Sequence, residues 1–152
     1  MTSSNPRIAL VTGATAGIGE AVARKFAENG MKLILAARRR EKLERIADSL
    51  GTECHILELD ITNRSAVDKT FSNIPAKFSE IDVLVNNAGL ALGMESASKA
   101  DLNDWDQMID TNVKGLIYCA RAVLPGMVSR DRGHIINIGS VAGSYPYPGG
   151  NV

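Results

Sequence analysis

A chain of 152 residues, 45% hydrophobic and 22% charged, is long enough to bury one real core and too short for two. Seventeen basic residues balance seventeen acidic ones, so no whole-chain charge draws nucleic acid or an anionic membrane surface, and a small-molecule partner is expected. Cys54 and Cys119 have neither a disulfide framework nor metal-ligand spacing, and the apolar run after the polar Met1 to Arg7 is too short for a signal peptide or a membrane span. A single domain over 1–152, cytoplasmic, with reduced cysteines and no metal, is the expectation.

In chain order, Ile8 to Val11 predicts a buried strand and Thr12-Gly13-Ala14-Thr15-Ala16-Gly17-Ile18-Gly19 a glycine turn. A helix comes next, from Gly17 to about Glu28, with Ile18, Val22 and Phe26 on one face and Asn29-Gly30 as its C-terminal signal. Strand, glycine turn and helix make a phosphate cradle. Glycines at 13, 17 and 19 remove the Cβ atoms that would block a close approach, and the helix start offers free N–H groups to a pyrophosphate. The spacing differs from the common G-x-G-x-x-G, so its meaning depends on the residues further along the chain.

Lys32 to Ala37 predicts a second buried strand, and Arg38-Arg39-Arg40-Glu41-Lys42 its exit into a charged helix carrying Leu43, Ile46, Ala47 and Leu50. A third strand runs over Cys54 to Leu59 and ends at Asp60. Thr62 or Asn63 then caps a helix with Val67, Thr70, Phe71 and Ile74 on one face. The fourth strand, Ile81 to Val85, meets Asn86-Asn87-Ala88-Gly89 and a flexible stretch from Leu90 to Ala100. A long helix is predicted from about Asp101 past Leu124, its inward stripe being Trp105, Met108, Ile109, Val113, Leu116, Ala120 and Val123, with Pro125 kinking or ending its last turns. Gly133-His134 leads into a fifth strand, Ile135 to Gly139, and then to Ser140 and the Pro/Gly-rich loop Tyr145 to Gly150.

Five apolar strands alternating with helices imply a parallel sheet covered on both faces, with ligands at the carboxyl ends of the strands. Gly13, Arg38, Asp60, Asn86 and Ser140 all fall there. A dinucleotide site normally has an acid at the end of the second strand to hold the adenosine ribose. Here Ala37 precedes Arg38 and Arg39, whose guanidinium groups suit the 2′-phosphate of NADP. The plainer reading of Arg38 is a solvated, basic helix start, although basic groups there oppose the helix dipole. Asp60 fits an acceptor for the adenine amino group or a helix cap shared with Thr62. The paired amides after the fourth strand suggest a backbone held by side-chain hydrogen bonds beside a ligand, or simply a turn. Asn112, inside the long helix, either bonds a local backbone carbonyl or holds a water in an active site.

The T-G-x-x-x-G-x-G of Thr12 to Gly19, Asn86-Asn87-Ala88-Gly89, Asn112 and Ser140, in this order, resemble the short-chain dehydrogenase/reductase family. The likeness runs through the whole chain. Leu35-Ala36-Ala37-Arg38-Arg39 and Gly139 to Tyr147 resemble its NADP-dependent 3-hydroxy acid dehydrogenases, which oxidise serine and allo-threonine. The resemblance implies a Rossmann-type, doubly wound α/β sheet of strand order 3-2-1-4-5 without the family's last two strands. It implies a site for NADP formed by Gly13, Thr15, Gly17, Ile18, Gly19, Arg38, Arg39, Asp60, Ile61, Asn86, Ala88 and Gly89. It further implies that Ser140 orients the substrate hydroxyl or carbonyl, that Asn112 holds a proton-relay water, and that Tyr147 shapes the substrate pocket.

The family also uses a Tyr-x-x-x-Lys pair. Counted from Ser140, its tyrosine is expected just after Val152; Tyr145 and Tyr147 lack the accompanying lysine. The chain therefore reads as the N-terminal, cofactor-binding part of an oxidoreductase that transfers hydride to or from the carbinol carbon of a small hydroxy acid, and a homo-oligomer at full length. A catalytically silent nucleotide-binding or interaction module is the alternative. A methyltransferase is a weaker one, because such sites want an acid where Ala37 and Arg38 stand.

Overall fold

The computed structural model describes residues 6–145, 147–150 and 152; the readings of Met1 to Asn5 and of Pro146 fall outside them. Five strands form one sheet: β1 (Ile8–Thr12), β2 (Lys32–Ala37), β3 (Cys54–Glu58), β4 (Ile81–Asn86) and β5 (His134–Asn137). Their order is β3-β2-β1-β4-β5, as the family resemblance implies, and every pairing is parallel, as the alternation of strands and helices predicts. Between them lie α1 (Gly17–Glu28), α2 (Arg40–Ser49) and α3 (Arg64–Ser72). A long helical run then joins β4 to β5: α4 (Leu102–Ile109), a π-helical segment (Asp110–Gly115) and α5 (Leu116–Ser129).

Strand side chains alternate between faces, so a strand covered on both sides must be apolar throughout. In β1, Ile8 and Leu10 join Ile34, Leu57 and Leu84 beneath Val67, Cys119 and Val123 of α3 and α5. Ala9 and Val11 join Leu33, Leu35 and Val85 beneath Ala23, Leu43 and Ile46 of α1 and α2. That division makes the fold doubly wound. The order of the sheet turns around between β1 and β4, and the loops leaving these two strands diverge to open a crevice.

Several local expectations change. Asn63, not Thr62, caps α3, its oxygen accepting from the Ala66 N–H at 3.0 Å. In α1 the innermost residues are Gly19 and Ala23. Val22 and Phe26 are half-buried and Ile18 is exposed, because the helix starts too close to the sheet for a larger side chain to fit beneath it. The predicted stripe of the long helix holds at Met108 and Val123, but Ile109 and Val113 face outward while Gly115, Cys119 and Met127 face inward. The physical reason is that this helix is apolar on two faces: Ile117, Leu124 and Val128 are also exposed, so hydrophobicity alone does not identify the core side. Asp101 caps α4 by accepting from the Asn103 N–H, and the helix continues through Pro125 to Ser129. Among the described residues no helix is long and apolar enough to cross a membrane.

Candidate nucleotide-binding cleft

The crevice between the loops after β1 and β4 is a cleft of about 390 Å³. Gly13, Thr15, Ala16 and Ile18 form one wall, Ala37, Arg38 and Arg39 one end, Asp60 and Ile61 the floor beyond β3, and Asn87 to Leu90 the opposite wall with Thr111.

The glycine turn works by proximity. Gly13 has φ +66°, and a Cβ there would lie 2.9 Å from both Ala88 Cα and Asn87 Nδ2. A Cβ on Gly19 would collide with the Gly13 carbonyl and with Asn87 Nδ2, whereas Gly17, at φ +57°, has open space and needs glycine for its backbone alone. Ala16, extended at φ −168°, makes no side-chain cap to α1. The first helical bond runs from the Glu20 N–H to the Ala16 carbonyl, so the N–H groups of Gly17, Ile18 and Gly19 precede the ladder, as an anion at a helix start requires.

The two walls are tied by Thr12, a motif residue to which the sequence assigns no role of its own. Its hydroxyl, 1% exposed, accepts from the N–H groups of Asn87 and Ala88, each at 3.0 Å, and donates to the Val85 carbonyl at 3.3 Å. Asn87 reaches back: its Nδ2 donates to the carbonyls of Thr12 at 2.9 Å and Gly13 at 3.2 Å. The backbone after β4 is therefore held by side-chain hydrogen bonds. The legible signal is a hydroxyl closing an otherwise apolar buried strand, which has to find partners.

At the β2 end, Arg39 Nη2 donates to Thr15 Oγ1 at 3.4 Å, and Arg38 is exposed at the cleft mouth. Neither arginine makes an ion pair with a described residue, although Arg40, the next residue, pairs with Glu44. Asp60 Oδ1 accepts from the Thr62 N–H at 3.0 Å and its hydroxyl at 2.8 Å, which is the local turn that the sequence offers as one of two roles. Asp60 nonetheless remains exposed on the cleft lining with Oδ2 outside that turn. Ile61 is buried against Gly115, where a Cβ would lie 2.7 Å from its Cδ1.

Asn112 sits in the π-helical segment and makes a two-point contact with one residue: Nδ2 donates to the Leu90 carbonyl at 2.7 Å and Oδ1 accepts from the Leu90 N–H at 2.9 Å. The carbonyl it bonds is 22 residues away in the chain, not a local one, and Gly89 leaves the room, since a Cβ there would be 3.2 Å from Asn112 Oδ1. The amide thus pins the cleft wall. Asn86 does not line the cleft; it is buried at the end of β4, with Nδ2 donating to Asn137 Oδ1 at 2.9 Å. Ser140 also lies outside the lining, past the end of β5, exposed, with Oγ accepting from the Ala142 N–H at 3.1 Å. Tyr147 is further along the same loop, its ring over Gly150. The structure thus gathers Gly13, Thr15, Ile18, Arg38, Arg39, Asp60, Ile61, Ala88 and Gly89 around one space, sets Gly17 and Gly19 in the turn beside it, and leaves Asn86, Asn112, Ser140 and Tyr147 out of its lining.

Residues 7–152 match the short chain dehydrogenase family. An NADP-dependent 3-hydroxy acid dehydrogenase, YdfG, of Salmonella typhi is 61% identical over 145 residues, covering 95% of this chain and 58% of that protein. Serine dehydrogenase from Escherichia coli superposes with a TM-score of 0.92 at 59% identity, over 95% of this chain and 67% of that one. The closed form of serine dehydrogenase complexed with NADP+ superposes equally well, with a TM-score of 0.92. The chain spans somewhat more than half the length of the curated relatives that it matches.

Proposed function

The chain belongs to the short-chain dehydrogenase family, and from that premise we propose that its cleft holds NADP(H) for an oxidoreductase acting on the carbinol carbon of a small 3-hydroxy acid or the corresponding carbonyl compound. The observation that carries the reading is the β2 end of the cleft: Arg38 and Arg39 face it without counter-ions among the described residues, and Ala37 stands where a ribose-binding acid would. The names of the relatives support this reading over a silent nucleotide-binding module.

The residues present fit the dinucleotide. Glycine at position 13 lets the turn close against Asn87 and Ala88, where any Cβ would collide, and the start of α1 meets a pyrophosphate with free N–H groups. Arg38 and Arg39 would hold the 2′-phosphate, Asp60 and Ile61 the adenine side, and Ala88 and Gly89 the backbone wall along the ribose. When bound, the nicotinamide supplies or accepts the hydride.

Ser140 is suited to the substrate oxygen. Because its Oγ already accepts from Ala142, its own O–H is left to donate to a carbonyl or a developing alkoxide. Asn112 contributes by fixing Leu90 and with it the wall facing the glycine turn; its exposed amide keeps a second N–H and a second oxygen lone pair, with which it would hold a relay water. Tyr147 would border the substrate. A homo-oligomer at full length has support in the second apolar face of the long helix, Ile109, Val113, Ile117, Leu124 and Val128. Location in the cytoplasm fits a nicotinamide-dependent enzyme with free Cys54 and Cys119.

The test is a titration of NADPH and NADH against the chain, read by nicotinamide fluorescence. NADPH binds at least tenfold tighter, and Arg38→Asp removes the preference by taking away a phosphate contact and adding a repelling charge. Equal affinities in the unaltered chain refute the assignment of the arginines.

A further inference from the structure

We propose that Asn86 and Asn137 are a positioning pair that holds the Ser140 turn to the carboxyl end of β4; this rests on the proposed role of Ser140 as the group that meets the substrate oxygen. The two asparagines face one another as the last register pair between β4 and β5. Asn86 Nδ2 donates to Asn137 Oδ1 at 2.9 Å, and the Ile138 N–H donates to the Asn86 carbonyl at 2.9 Å. Beyond Ile138, Gly139 has nothing within 4 Å of where a Cβ would stand, and Ser140 comes next, its side chain bonded within its own turn to Ala142. Among the described residues, the amide pair and the Ile138 bond are thus the last ties between the body of the sheet and Ser140.

On the other side, Asn86 leads directly into Asn87 and Ala88, the cleft wall held by Thr12. One buried residue therefore anchors both features. Its chemistry argues for purpose: Asn86 is 4% exposed and its Oδ1 has no partner among the described residues, a burial that costs free energy which valine or leucine would not incur. A residue needed only to fill the space would be apolar; what the amide adds is a donor aimed at β5. Asn137 is exposed, so its side chain is free to vary in charge or polarity without entering the core.

The test uses amide hydrogen exchange by NMR on the chain as it stands, at Ile138 and Ala142, with Leu10 and Ile34 in the buried strands reporting the fold as a whole. Asn137→Asp keeps the acceptor for Asn86 Nδ2, and protection at Ile138 and Ala142 stays within twofold of the unaltered chain. Asn137→Leu has a similar size but no acceptor, and exchange at both amides rises by about tenfold or more, with Leu10 and Ile34 unchanged. A residue that merely supports the strand by packing gives the opposite ranking, Leu protected and Asp not, and that ranking overturns the proposal. Equal exchange in both variants, or opening at Leu10 and Ile34 as large as at Ile138, also overturns it. NADPH titration of the unaltered chain is the independent arm: absence of binding there defeats the cofactor reading and leaves the exchange ranking to decide whether the pair holds the Ser140 turn.

Discussion

Thr12→Val is the sharpest perturbation of the cleft that keeps the shape of the side chain. The valine fills the same space at the end of β1, yet two backbone donors, the Asn87 and Ala88 N–H groups at 3.0 Å, lose their acceptor, and the Val85 carbonyl loses a donor. An orphaned buried donor costs about 1–3 kcal/mol; because Asn87 and Ala88 are half-buried and water reaches them in part, the lower half of that range applies to each, for a total of about 2–4 kcal/mol. At ~2–4 °C per kcal/mol for a domain of this size, the melting temperature falls by about 5–15 °C. Equilibrium urea unfolding measures the loss directly, as a lower midpoint with an unchanged slope. Thr12→Ser, which keeps the hydroxyl, costs roughly 1 kcal/mol for the lost methyl. If Thr12→Val unfolds within about 0.5 kcal/mol of the unaltered chain, or if the serine variant is the less stable of the two, the hydroxyl is not the tie between the walls.

The glycines separate by mechanism. Gly19→Ala places a methyl against the Gly13 carbonyl and Asn87 Nδ2, so NADPH binding falls by more than tenfold, whereas Gly17→Ala meets open space and costs only the left-handed backbone, about 1 kcal/mol; equal losses in a binding titration and in urea melts would contradict the packing. At the far end of the sheet, the ammonium groups of Lys32 and Lys77, bonded to its two oxygens, hold the Glu53 carboxyl down to about 2 from its ordinary 4.5. With the folded value depressed, its contribution to stability is present above about 4.5 and is lost as the pH falls through about 2, so Glu53→Gln lowers stability at neutral pH, by the modest amount an exposed pair supplies, and flattens the acid limb of a stability-against-pH curve, the two proteins converging at the foot of that window. An acid limb identical in the two proteins would show that the pairs do not persist in solution.

Much of the architecture is written locally. Ile8 to Val11 and Lys32 to Ala37 are apolar at nearly every position, which a strand covered on both faces explains, and their alternation with helices requires parallel pairing and crossovers. The cleft was legible for a related reason: Gly13 and Gly19, Arg38 after β2, and Asn87 after β4 are residues that a plain turn or a plain helix start does not call for. The exposed apolar face of α5 was not legible, because Ile117 and Val128 are as hydrophobic as Cys119 and Val123 and only packing decides which side turns inward.

What the sequence determined by itself is the order of strands and helices, the glycine turn and the charge at the end of β2, since each depends on a residue's own backbone freedom, periodicity or charge. What only the tertiary structure decided is who meets whom: Thr12 with Asn87 and Ala88, Asn112 with Leu90, and Asn86 with Asn137. Those partners lie 75, 76, 22 and 51 residues apart, and a polar side chain announces that it needs a partner without naming it. The sheet supplies the name, because parallel strands in the order β3-β2-β1-β4-β5 bring the carboxyl ends of β1, β4 and β5 side by side, where the hydrogen-bonding groups of three distant loops satisfy one another.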